Sequence, residues 1–558
     1  MKEKSSNIGK KKLIRNIIIT IVSLVLVAGI LFFANNYFKD GTKNKINLVI
    51  NNNNVTLRLK KDVYMDEKGN IYLSKEDVAN YFDKYISYDK DKKRLITTSD
   101  TKLAILNANE NTIKINGSNI KIYSNIIEKN DTEYIPFSEM SKLVYNMDLE
   151  YIEKSNTVVL DSLDREFSKA DTTKNTAVKS STKFFSKKVD KIKKGEKVVY
   201  ISEENGWAKV RTERGKVGFV KSKILANKFE VRQAMENTPQ IEEKINLVWD
   251  YYSEYAKAPN RSGTTIEGVN VVSPAFFSLN KEGKIVVNIG EEGKKYIKWA
   301  KDNNYKIWPM FSNNSMLATT SGILNNYEKR EKLIDDIVKL AETYELDGIN
   351  LDFENMKEED KDVYSRLVIE LAPRLKDTGK VLSVDVTAPD GAGTWSLCFD
   401  RKIISDVSDY IVFMAYDQYG TSSTKEGTTA GYNWVENNIN KFLGQEDVKA
   451  EKIILGIPFY TRLWKENNGN ISSNTVDIKK VDTVLPNDVE KKWDDKLKQY
   501  YVEYEKDNTT YKMWVEDERS IKEKVNLANK YELAGIAFWE KDREPEEIWK
   551  MIKQEFKK

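Results

Sequence analysis

The chain has 558 residues, enough for several domains, and its 40% hydrophobic and 32% charged residues are typical of folded domains rather than of disorder. Its 90 basic and 86 acidic residues leave a net charge of only +4, so the composition gives no indication of a partner that is a nucleic acid. The chain has no histidine and a single cysteine, Cys398, which excludes histidine-dependent hydrolases, imidazole zinc sites and disulfides within the chain, and favours carboxylates as the acid–base groups.

The first predicted element is a membrane-spanning helix. Ile17–Ala34 is an uncharged apolar run of 18 residues, which at about 1.5 Å per residue nearly spans a bilayer core of ~30 Å. Residues 1–16 carry six basic side chains and one acidic one, so the positive-inside rule places this tail in the cytoplasm and the remaining chain outside. A cleaved signal peptide is the alternative, but its apolar core would be about 7–15 residues long and would end in a small-x-small site.

Residues 46–162 alternate short strand-like runs with helical pieces. Two segments, 71–82 and 134–144, look alike: each reads as a strand followed by a short amphipathic helix, with Ser74 or Ser138 placed to cap the helix. This pattern resembles the copper amine oxidase N-terminal-like domain. The name implies no copper here, because the chain lacks histidine, and we interpret the region as a stalk between the membrane and the remaining domains.

A small all-β unit is predicted at residues 176–226, after a polar stretch, about 162–181, that reads as a linker. Short β-rich runs separated by glycines are typical of a compact barrel. The strings Gly206-Trp-Ala-Lys-Val-Arg211 and Gly215-Lys-Val-Gly-Phe-Val220 resemble bacterial SH3-like domains, which often attach to cell wall. Wall binding and simple spacing both remain open, because no ligand residue can be named.

From residue 242 to 556 the pattern changes to strands followed by long helices. Helical spacing is clear in Glu328–Tyr344, and residues 465–513 look like an inserted lobe. Eight such repeats predict an α/β fold, a (β/α)8 TIM barrel, with its active site at the carboxyl ends of the strands. The eight candidate strands begin near Asn246, Val269, Lys306, Asp347, Val381, Tyr410, Lys452 and Gly535.

The fourth predicted strand has polar side chains where a barrel interior normally has apolar ones. Side chains alternate between faces in Asp347-Gly-Ile-Asn-Leu-Asp-Phe-Glu354, so Asn350, Asp352 and Glu354 share the inward face. Burying two carboxyls and an amide is costly unless they bond one another or a ligand. The strand therefore predicts a functional site. Asp347 has the opposite parity, and we expect it mainly to orient or support the strand.

This strand resembles the Asp-x-x-Asp-x-Asp-x-Glu motif of glycoside hydrolase family 18, the chitinase-like barrels, and the resemblance extends over residues 242–556. Met414-Ala-Tyr-Asp417 and Phe538-Trp539 are similar to the family's motifs at strands six and eight. The strings at 456–464 and 514–520 are similar to the wall- and spore-associated bacterial branch.

The resemblance implies substrate-assisted catalysis, in which the 2-acetamido oxygen of the sugar attacks the anomeric carbon. Glu354 would protonate the leaving oxygen and later activate water, and Asp352 would orient the acetamido group and stabilise the intermediate. Tyr416 would bond the acetamido carbonyl, Asp417 would hold a sugar hydroxyl, and Trp539 would form the floor of the subsite. No metal and no cofactor are implied.

Some candidates depart from the motif or lie outside it. Asn350 stands where the family usually has a second Asp, and we expect it to hydrogen-bond Asp352 without being able to share a proton. Three aromatic residues near predicted strand ends could stack on sugars or merely pack in the core: Phe276, Trp308 and Trp464. Met414 completes the set of candidate substrate-binding residues.

These observations predict a membrane-anchored extracellular glycosidase that faces the cell wall and cleaves peptidoglycan next to N-acetylglucosamine. The expected partners are the polysaccharide substrate and the membrane, and no protein partner can be named. A chitinase is the alternative within the same class. A non-catalytic glycan-binding barrel is the alternative from another class, although such relatives commonly lack the acid at the position of Glu354. A scaffold with vestigial activity is a third alternative.

Overall fold

The computed structural model describes residues 20–25, 27–28, 45–232, 243–253, 255–389 and 393–556. They form two compact units: one holds the described residues up to 95, 106–113 and 120–232, and the other holds 96–105, 114–119 and 243–556. No helix within these described residues is long and apolar enough to cross a membrane. The predicted cytoplasmic tail lies outside them, as does the predicted span Ile17–Ala34 apart from residues 20–25 and 27–28, which are helical.

The region predicted as a stalk contains the two strand–helix segments expected from its sequence. Their strands, Ile71–Ser74 and Thr132–Pro136, pair antiparallel. Ser74 caps the helix Lys75–Tyr81 by accepting a hydrogen bond from the Asp77 amide, as predicted. Ser138 does not cap the second helix, Phe137–Leu143. Its hydroxyl instead accepts a hydrogen bond from the Ile71 amide at 2.8 Å, which joins the two segments.

The other strands of this region extend the sheet of these two segments or form two further sheets. Their bounds are Asn47–Ile50, Asn53–Asn54, Tyr64–Met65, Ser87–Asp89, Arg94–Thr98, Leu103–Asn107, Thr112–Ile115, Ser118–Lys121, Ile127–Lys129, Met147–Ile152 and Thr157–Ser162, with 3-10 turns at Thr56–Arg58 and Glu153–Ser155.

A seven-stranded sheet follows, and it includes most of the stretch predicted as a linker. Phe167–Thr172 pairs with strands on both sides, and its alternate residues Ser168, Ala170 and Thr172 are buried. The linker prediction was therefore wrong: polar residues at alternate positions marked a strand. The order across the sheet is Lys188–Ile192, Thr176–Lys179, Val217–Lys221, Trp207–Thr212, Lys197–Glu204, Phe167–Thr172 and Leu225–Arg232, and a 3-10 turn spans Ser222–Ile224.

The predicted barrel is confirmed, with all eight strands close to their expected positions. Neighbouring strands are parallel, and β8 pairs with both β7 and β1, which closes the cylinder. Strand β3 is interrupted at Pro309, which has no N–H to donate, yet the Pro309 carbonyl still accepts the Asn350 amide. The strands are β1 (Ile245–Asp250), β2 (Val271–Pro274), β3 (Lys306–Ile307 and Met310–Ser312), β4 (Gly348–Asp352), β5 (Val381–Val386), β6 (Tyr410–Met414), β7 (Ile453–Pro458) and β8 (Gly535–Trp539).

Helices surround the barrel. The connection from β1 to β2 departs from the strand–helix repeat, because its described residues form no helix. The longest predicted helix begins at Tyr327, after Asn326 caps it by accepting the Lys329 amide. A hairpin, Phe277–Leu279 and Ile285–Val287, extends the sheet beside β3, and short turns span Glu358–Asp360, Gly393–Leu397 and Ala450–Lys452. The helices are α1 (Gly290–Asp302), α2 (Leu317–Leu324), α3 (Tyr327–Thr343), α4 (Lys361–Asp377), α5 (Arg401–Val407), α6 (Tyr432–Gly444), α7 (Glu518–Lys530) and α8 (Ile548–Glu555).

An inserted lobe lies between β7 and α7, as predicted, but it begins earlier than residue 465. The run expected as one strand from Lys452 is two: β7 ends at Pro458, and Tyr460–Asn467 belongs to the antiparallel sheet of the lobe. The order of that sheet is Asn470–Asp477, Tyr460–Asn467, Thr509–Val515, Gln499–Lys506 and Lys492–Asp494, and the lobe also holds the short helices Ile478–Lys480 and Val481–Val484.

Candidate functional site

The two carboxylates predicted on β4 lie at the carboxyl end of the barrel. Ile349, Leu351 and Phe353 point outward into the core between strands and helices, which leaves Asn350 and Asp352 on the inner face. Asp352 ends β4 and is 7% exposed. Glu354 follows two residues later and remains partly exposed, so its carboxyl faces the open end, where a barrel binds substrate.

The backbone of Glu354 is held by Asn313, a residue that the sequence analysis missed. The Asn313 side chain accepts the Glu354 amide at 3.0 Å and donates to the Glu354 carbonyl at 2.8 Å. Asn313 itself is fully buried after β3 and also donates to Thr320 at 3.0 Å. An asparagine directly after a predicted barrel strand was the available signal, since strand ends of this fold carry the functional residues.

The environment of Glu354 favours its protonated form. Burial is the main cause that raises the pKa of Glu354 well above its usual range, and the negative charges of Asp352 and Asp417 raise it further. A general acid must carry its proton at the working pH. The direction of this pKa shift is therefore the one that an acid catalyst near neutral pH requires.

A third buried carboxyl, Asp385 on β5, was also missed by the sequence analysis. β4 and β5 run parallel with Asn350 beside Ser383 and Leu351 beside Val384, so Asp352 lies next to Asp385. Asp385 is 1% exposed, and burial raises its pKa well above the usual range. The alternation argument applied to β4 would have found it, because Ser383 and Asp385 interrupt an apolar strand with period 2.

Asn350 is fully buried at the centre of a hydrogen-bond network. Its amide donates to Asp385 at 2.6 Å and to Ser383 at 3.1 Å. Its carbonyl accepts Trp249 Nε1 at 2.8 Å and the Ser273 hydroxyl at 3.3 Å. The expected bond from Asn350 to Asp352 is not formed, because all four bonding positions of the amide are taken by other strands. Asn350 supports the site from below and does not reach substrate.

Tyr416 and Asp417, which follow β6, complete the cluster of polar side chains at this end of the barrel. Burial raises the pKa of the Tyr416 hydroxyl, and Tyr460, Asp385, Glu354 and Asp352 raise it further. Asp417 adopts a left-handed backbone with φ 54°. Its Oδ1 accepts Tyr460 Oη and Arg462 Nη2, each at 2.7 Å, which fixes the carboxylate in place from the inserted lobe.

Trp539 ends β8 and is partly exposed at the same end of the barrel. Its ring packs edge-on against Trp249 at 5.7 Å and lies tilted at 5.6 Å from Tyr251. Trp249 also donates to Asn350, so the network below Asp352 continues to the ring of Trp539. Tyr251, which follows β1, is 50% exposed. Met414 ends β6 and is 7% exposed, at the edge of this group.

Four predicted substrate-binding residues do not reach this site. Asp347 lies before β4 and accepts the Ile307 amide and the Lys306 ammonium at 3.0 Å each, about 20 Å along the strand from Glu354. The stacking role of three aromatic residues is wrong, because each is 0% exposed: Phe276, Trp308 and Trp464.

Each of the three aromatic residues has a packing role instead. Phe276 packs edge-on against Tyr296 on α1. Trp308 stacks on Tyr410 at 5.7 Å, where β6 begins, and so fills the amino end of the barrel. Trp464 belongs to the lobe and donates to the Gly427 carbonyl at 2.8 Å.

Asn313→Ala is expected to lower kcat about 10- to 100-fold, because a displacement of about 1 Å at a catalytic group costs that much. Without Asn313, both backbone polar groups of Glu354 lose their partner. Steady-state kinetics on a soluble N-acetylglucosamine oligomer would measure the loss, with the exposed Asn440→Ala on α6 as control. An unchanged kcat would show that the strand alone positions Glu354.

Comparison with known families agrees with this geometry. The model of glycosyl hydrolases family 18 matches residues 247–544. The bacterial SH3 domain matches residues 174–226, and the copper amine oxidase N-terminal domain matches residues 49–160. All three resemblances drawn from the sequence are thus confirmed.

Individual relatives agree with the family assignment. The uncharacterized glycosylase YvbX of Bacillus subtilis (strain 168) is 26% identical over 296 residues, which cover 51% of this chain and 84% of that protein. The cortical fragment-lytic enzyme of the same strain is 23% identical over 241 residues, which cover 42% of this chain and 55% of that protein. The crystal structure of chitinase from Chromobacterium violaceum ATCC 12472 has the same fold, with a TM-score of 0.50 and 21% identity over 57% of this chain and 100% of that one. The chain belongs to family 18 of the glycosyl hydrolases and is a glycoside hydrolase.

Proposed function

We propose that this glycoside hydrolase cleaves a polymer containing N-acetylglucosamine by substrate-assisted, retaining catalysis. Glu354 donates its proton to the glycosidic oxygen while the 2-acetamido oxygen attacks the anomeric carbon. Asp352 and Tyr416 hold the acetamido group, and Asp417 binds a sugar hydroxyl. The ionised Glu354 then takes a proton from the water that opens the intermediate.

The observation that carries this proposal is the convergence of groups from three strands around one opening. Glu354 and Asp352 come from β4, Tyr416 and Asp417 follow β6, and Trp539 ends β8. In a purely structural network the buried polar atoms would be hydrogen-bonded. Asp352 Oδ1 instead has no hydrogen-bond partner among the described residues, so it retains a free acceptor for a substrate N–H. A barrel that only binds glycan would not need an acid at Glu354.

Peptidoglycan is the proposed substrate. Support comes from two Bacillus subtilis relatives, which are named cortical fragment-lytic enzyme and putative sporulation-specific glycosylase. The SH3-like domain is a further module that is common in wall-attached proteins. Chitin is the second candidate, because a probable endochitinase of Caenorhabditis elegans is 29% identical over 170 residues and the two polymers share the N-acetylglucosamine unit that Glu354 and Asp352 would recognise.

The proposed location is the outer face of the cell membrane. The apolar run Ile17–Ala34 and the basic residues before it support an anchor with a cytoplasmic N terminus. Protease treatment of intact cells would test this: external protease should remove the barrel, and protection of the barrel would contradict the proposal.

The substrate is tested by incubating the full chain, in mild detergent, with purified peptidoglycan or with N-acetylglucosamine oligomers. Mass spectrometry would then identify the new reducing ends. Peptidoglycan fragments that end in reducing N-acetylglucosamine would support the proposal. Cleavage of the oligomers alone would favour the chitinase, and glycan binding without cleavage of either would contradict the proposed catalysis. The Glu354→Gln variant, incubated in the same way, serves as the negative control.

Trp539→Ala is expected to lower kcat/KM by about 10- to 100-fold, because covering a large aromatic face is worth roughly 1.5–3 kcal/mol. Trp539→Phe should retain part of this contact and give an intermediate value. Kinetics on N-acetylglucosamine oligomers would measure the effect. Full activity of Trp539→Ala would show that the ring merely packs against Trp249.

A further inference from the structure

The SH3-like domain has a hairpin whose turn is unlike an ordinary surface turn. Its strands, Thr176–Lys179 and Lys188–Ile192, pair antiparallel. The Ser186 amide closes the turn by donating to the Lys183 carbonyl at 3.2 Å. Both residues between them are phenylalanines, at positions where glycine, proline, asparagine, aspartate or serine is usual. The requirements of the turn therefore do not explain these two side chains.

The two phenylalanines, Phe184 and Phe185, stand out in water. They are 86% and 87% exposed, and their rings pack edge-on against each other at 4.9 Å. The core of the domain is built from other residues, among them Val178 and Ile192. Exposed apolar surface is unfavourable in water, and a contiguous pair of rings, unlike a single exposed residue, marks a surface that contacts a partner.

The surroundings of these rings are strongly basic. Residues 174–197 contain nine lysines and two acidic residues, a net charge of +7, whereas the whole chain carries +4. Residues 179–188 contain four of these lysines and no acid. Lys183 and Lys188 are exposed and have no ion-pair partner among the residues that the structure describes. Their charge is therefore available to a partner that is anionic.

The two acids of this segment already have a partner of their own. Arg214 pairs with Asp190 through Nε at 2.9 Å and with Glu196 through Nη2 at 3.4 Å. An open depression of about 450 Å³ at this place is lined by Lys188, Val189, Asp190, Lys191 and Arg214. Three of its four charged side chains are basic, so it suits an anionic group such as a phosphate.

We propose that the basic hairpin, residues 179–188, docks on the surface of an anionic lipid bilayer. Phe184 and Phe185 enter the interfacial layer, and the lysines stay at the level of the headgroup phosphates, which attract them. An apolar tip and a basic surround together supply the two contributions that reversible membrane contact requires. This contact goes beyond the proposed catalysis, and it depends neither on Glu354 nor on an anchor at Ile17–Ala34.

A bilayer fits these observations better than a second copy of the chain or a soluble polyanion. Two phenylalanine side chains bury at most roughly 500 Å², whereas a stable protein interface takes about 800 Å² from each partner. A second copy would also bring the same positive charge to the contact. A soluble anionic polymer would attract the lysines but would offer no apolar layer for Phe184 and Phe185.

The test measures how deeply the basic hairpin enters a membrane. The full chain with Thr182→Cys, an exposed position beside the turn, is spin-labelled and reconstituted with phosphatidylcholine vesicles that contain or lack phosphatidylglycerol. Cys398 is buried, and the unsubstituted chain gives the background labelling. Collisions of the label with oxygen, which enters lipid, and with a polar nickel complex, which stays in water, report its depth. We expect the label to enter lipid only where phosphatidylglycerol is present.

The matched control is a label at Glu204→Cys. Glu204 is exposed beside the turn of another hairpin of the same domain, Lys197–Glu204 and Trp207–Thr212. The strand register directs this turn and the basic hairpin to opposite ends of the sheet. The control label should stay in water with both kinds of vesicle. Equal lipid exposure of the two labels would overturn the assignment of the contact to the basic hairpin.

Phe184→Ser/Phe185→Ser is expected to lower the ratio of docked to undocked hairpin about 100-fold, roughly tenfold for each ring. Lys183→Gln/Lys188→Gln should lower it roughly 25-fold, because each lysine near an anionic surface contributes about fivefold. All four side chains belong to exposed residues, so both variants should keep the fold, and circular dichroism would verify this.

Three results would overturn the proposal. The first is a label at position 182 that stays in water when phosphatidylglycerol is present. The second is a depth that Phe184→Ser/Phe185→Ser does not change in a folded protein. The third is protection of the label without vesicles, which would indicate contact between copies of the chain. A chain that cleaves no glycan would leave this measurement unaffected, so failure of the proposed catalysis is distinguished from failure of this inference.

Discussion

Glu354→Gln is expected to lower turnover by roughly 10²–10⁴-fold, the usual contribution of general acid catalysis. Glutamine keeps the size and the backbone contacts of Glu354, including both hydrogen bonds to Asn313. It cannot deliver a proton to the leaving oxygen. KM should change little, because Trp539 and Asp417 would still bind the sugar. Initial rates on peptidoglycan and on N-acetylglucosamine oligomers would measure the loss.

The matched control is Glu358→Gln, an exposed glutamate in the turn Glu358–Asp360 that follows the same strand. It changes the same chemical group outside the site and should leave turnover unchanged. If Glu354→Gln kept more than about a tenth of wild-type turnover, Glu354 would not be the general acid.

Lys524→Met is expected to lower the free energy of unfolding by about 3–5 kcal/mol, the cost of leaving one buried charge without its partner. Lys524 on α7 donates to both oxygens of Glu516 at 3.0 Å, and the two side chains are 1% and 0% exposed. Gln499 and Ser520 also donate to Glu516, but neither carries a positive charge. Urea unfolding of each variant would measure the difference.

The same helix provides the control. Lys522 pairs with Glu555 at 2.6 Å, but these side chains are 47% and 28% exposed. Water and salt screen such a pair, so Lys522→Met should cost less than about 1 kcal/mol. The double variant Glu516→Gln/Lys524→Met should recover most of the loss, because it removes both buried charges and leaves an amide oxygen at position 516 to accept a hydrogen bond from Gln499 or Ser520. Equal losses from Lys524→Met and Lys522→Met would contradict the argument.

The sequence by itself determined the architecture of the barrel and the place of its candidate acid, Glu354, at the end of the fourth strand. Strand and helix periods are local properties, and eight strands at regular spacing leave few alternatives to a closed barrel. The inward position of Asp352 follows from period 2 along one strand, and this pattern does not depend on any neighbour. The capping role of Ser74 was equally local, since a cap bonds an amide three residues away.

Contacts between strands were decided only by the tertiary structure. Asn350 bonds residues of β1, β2 and β5 rather than Asp352, because the register of neighbouring strands sets its partners. Asp385 became part of the site for the same reason. Trp308 lies between the two segments of β3, but its burial depends on Tyr410 across the barrel interior. Spacing along the chain reveals the face on which a side chain lies, whereas its partners and its access to water depend on residues that are distant in sequence.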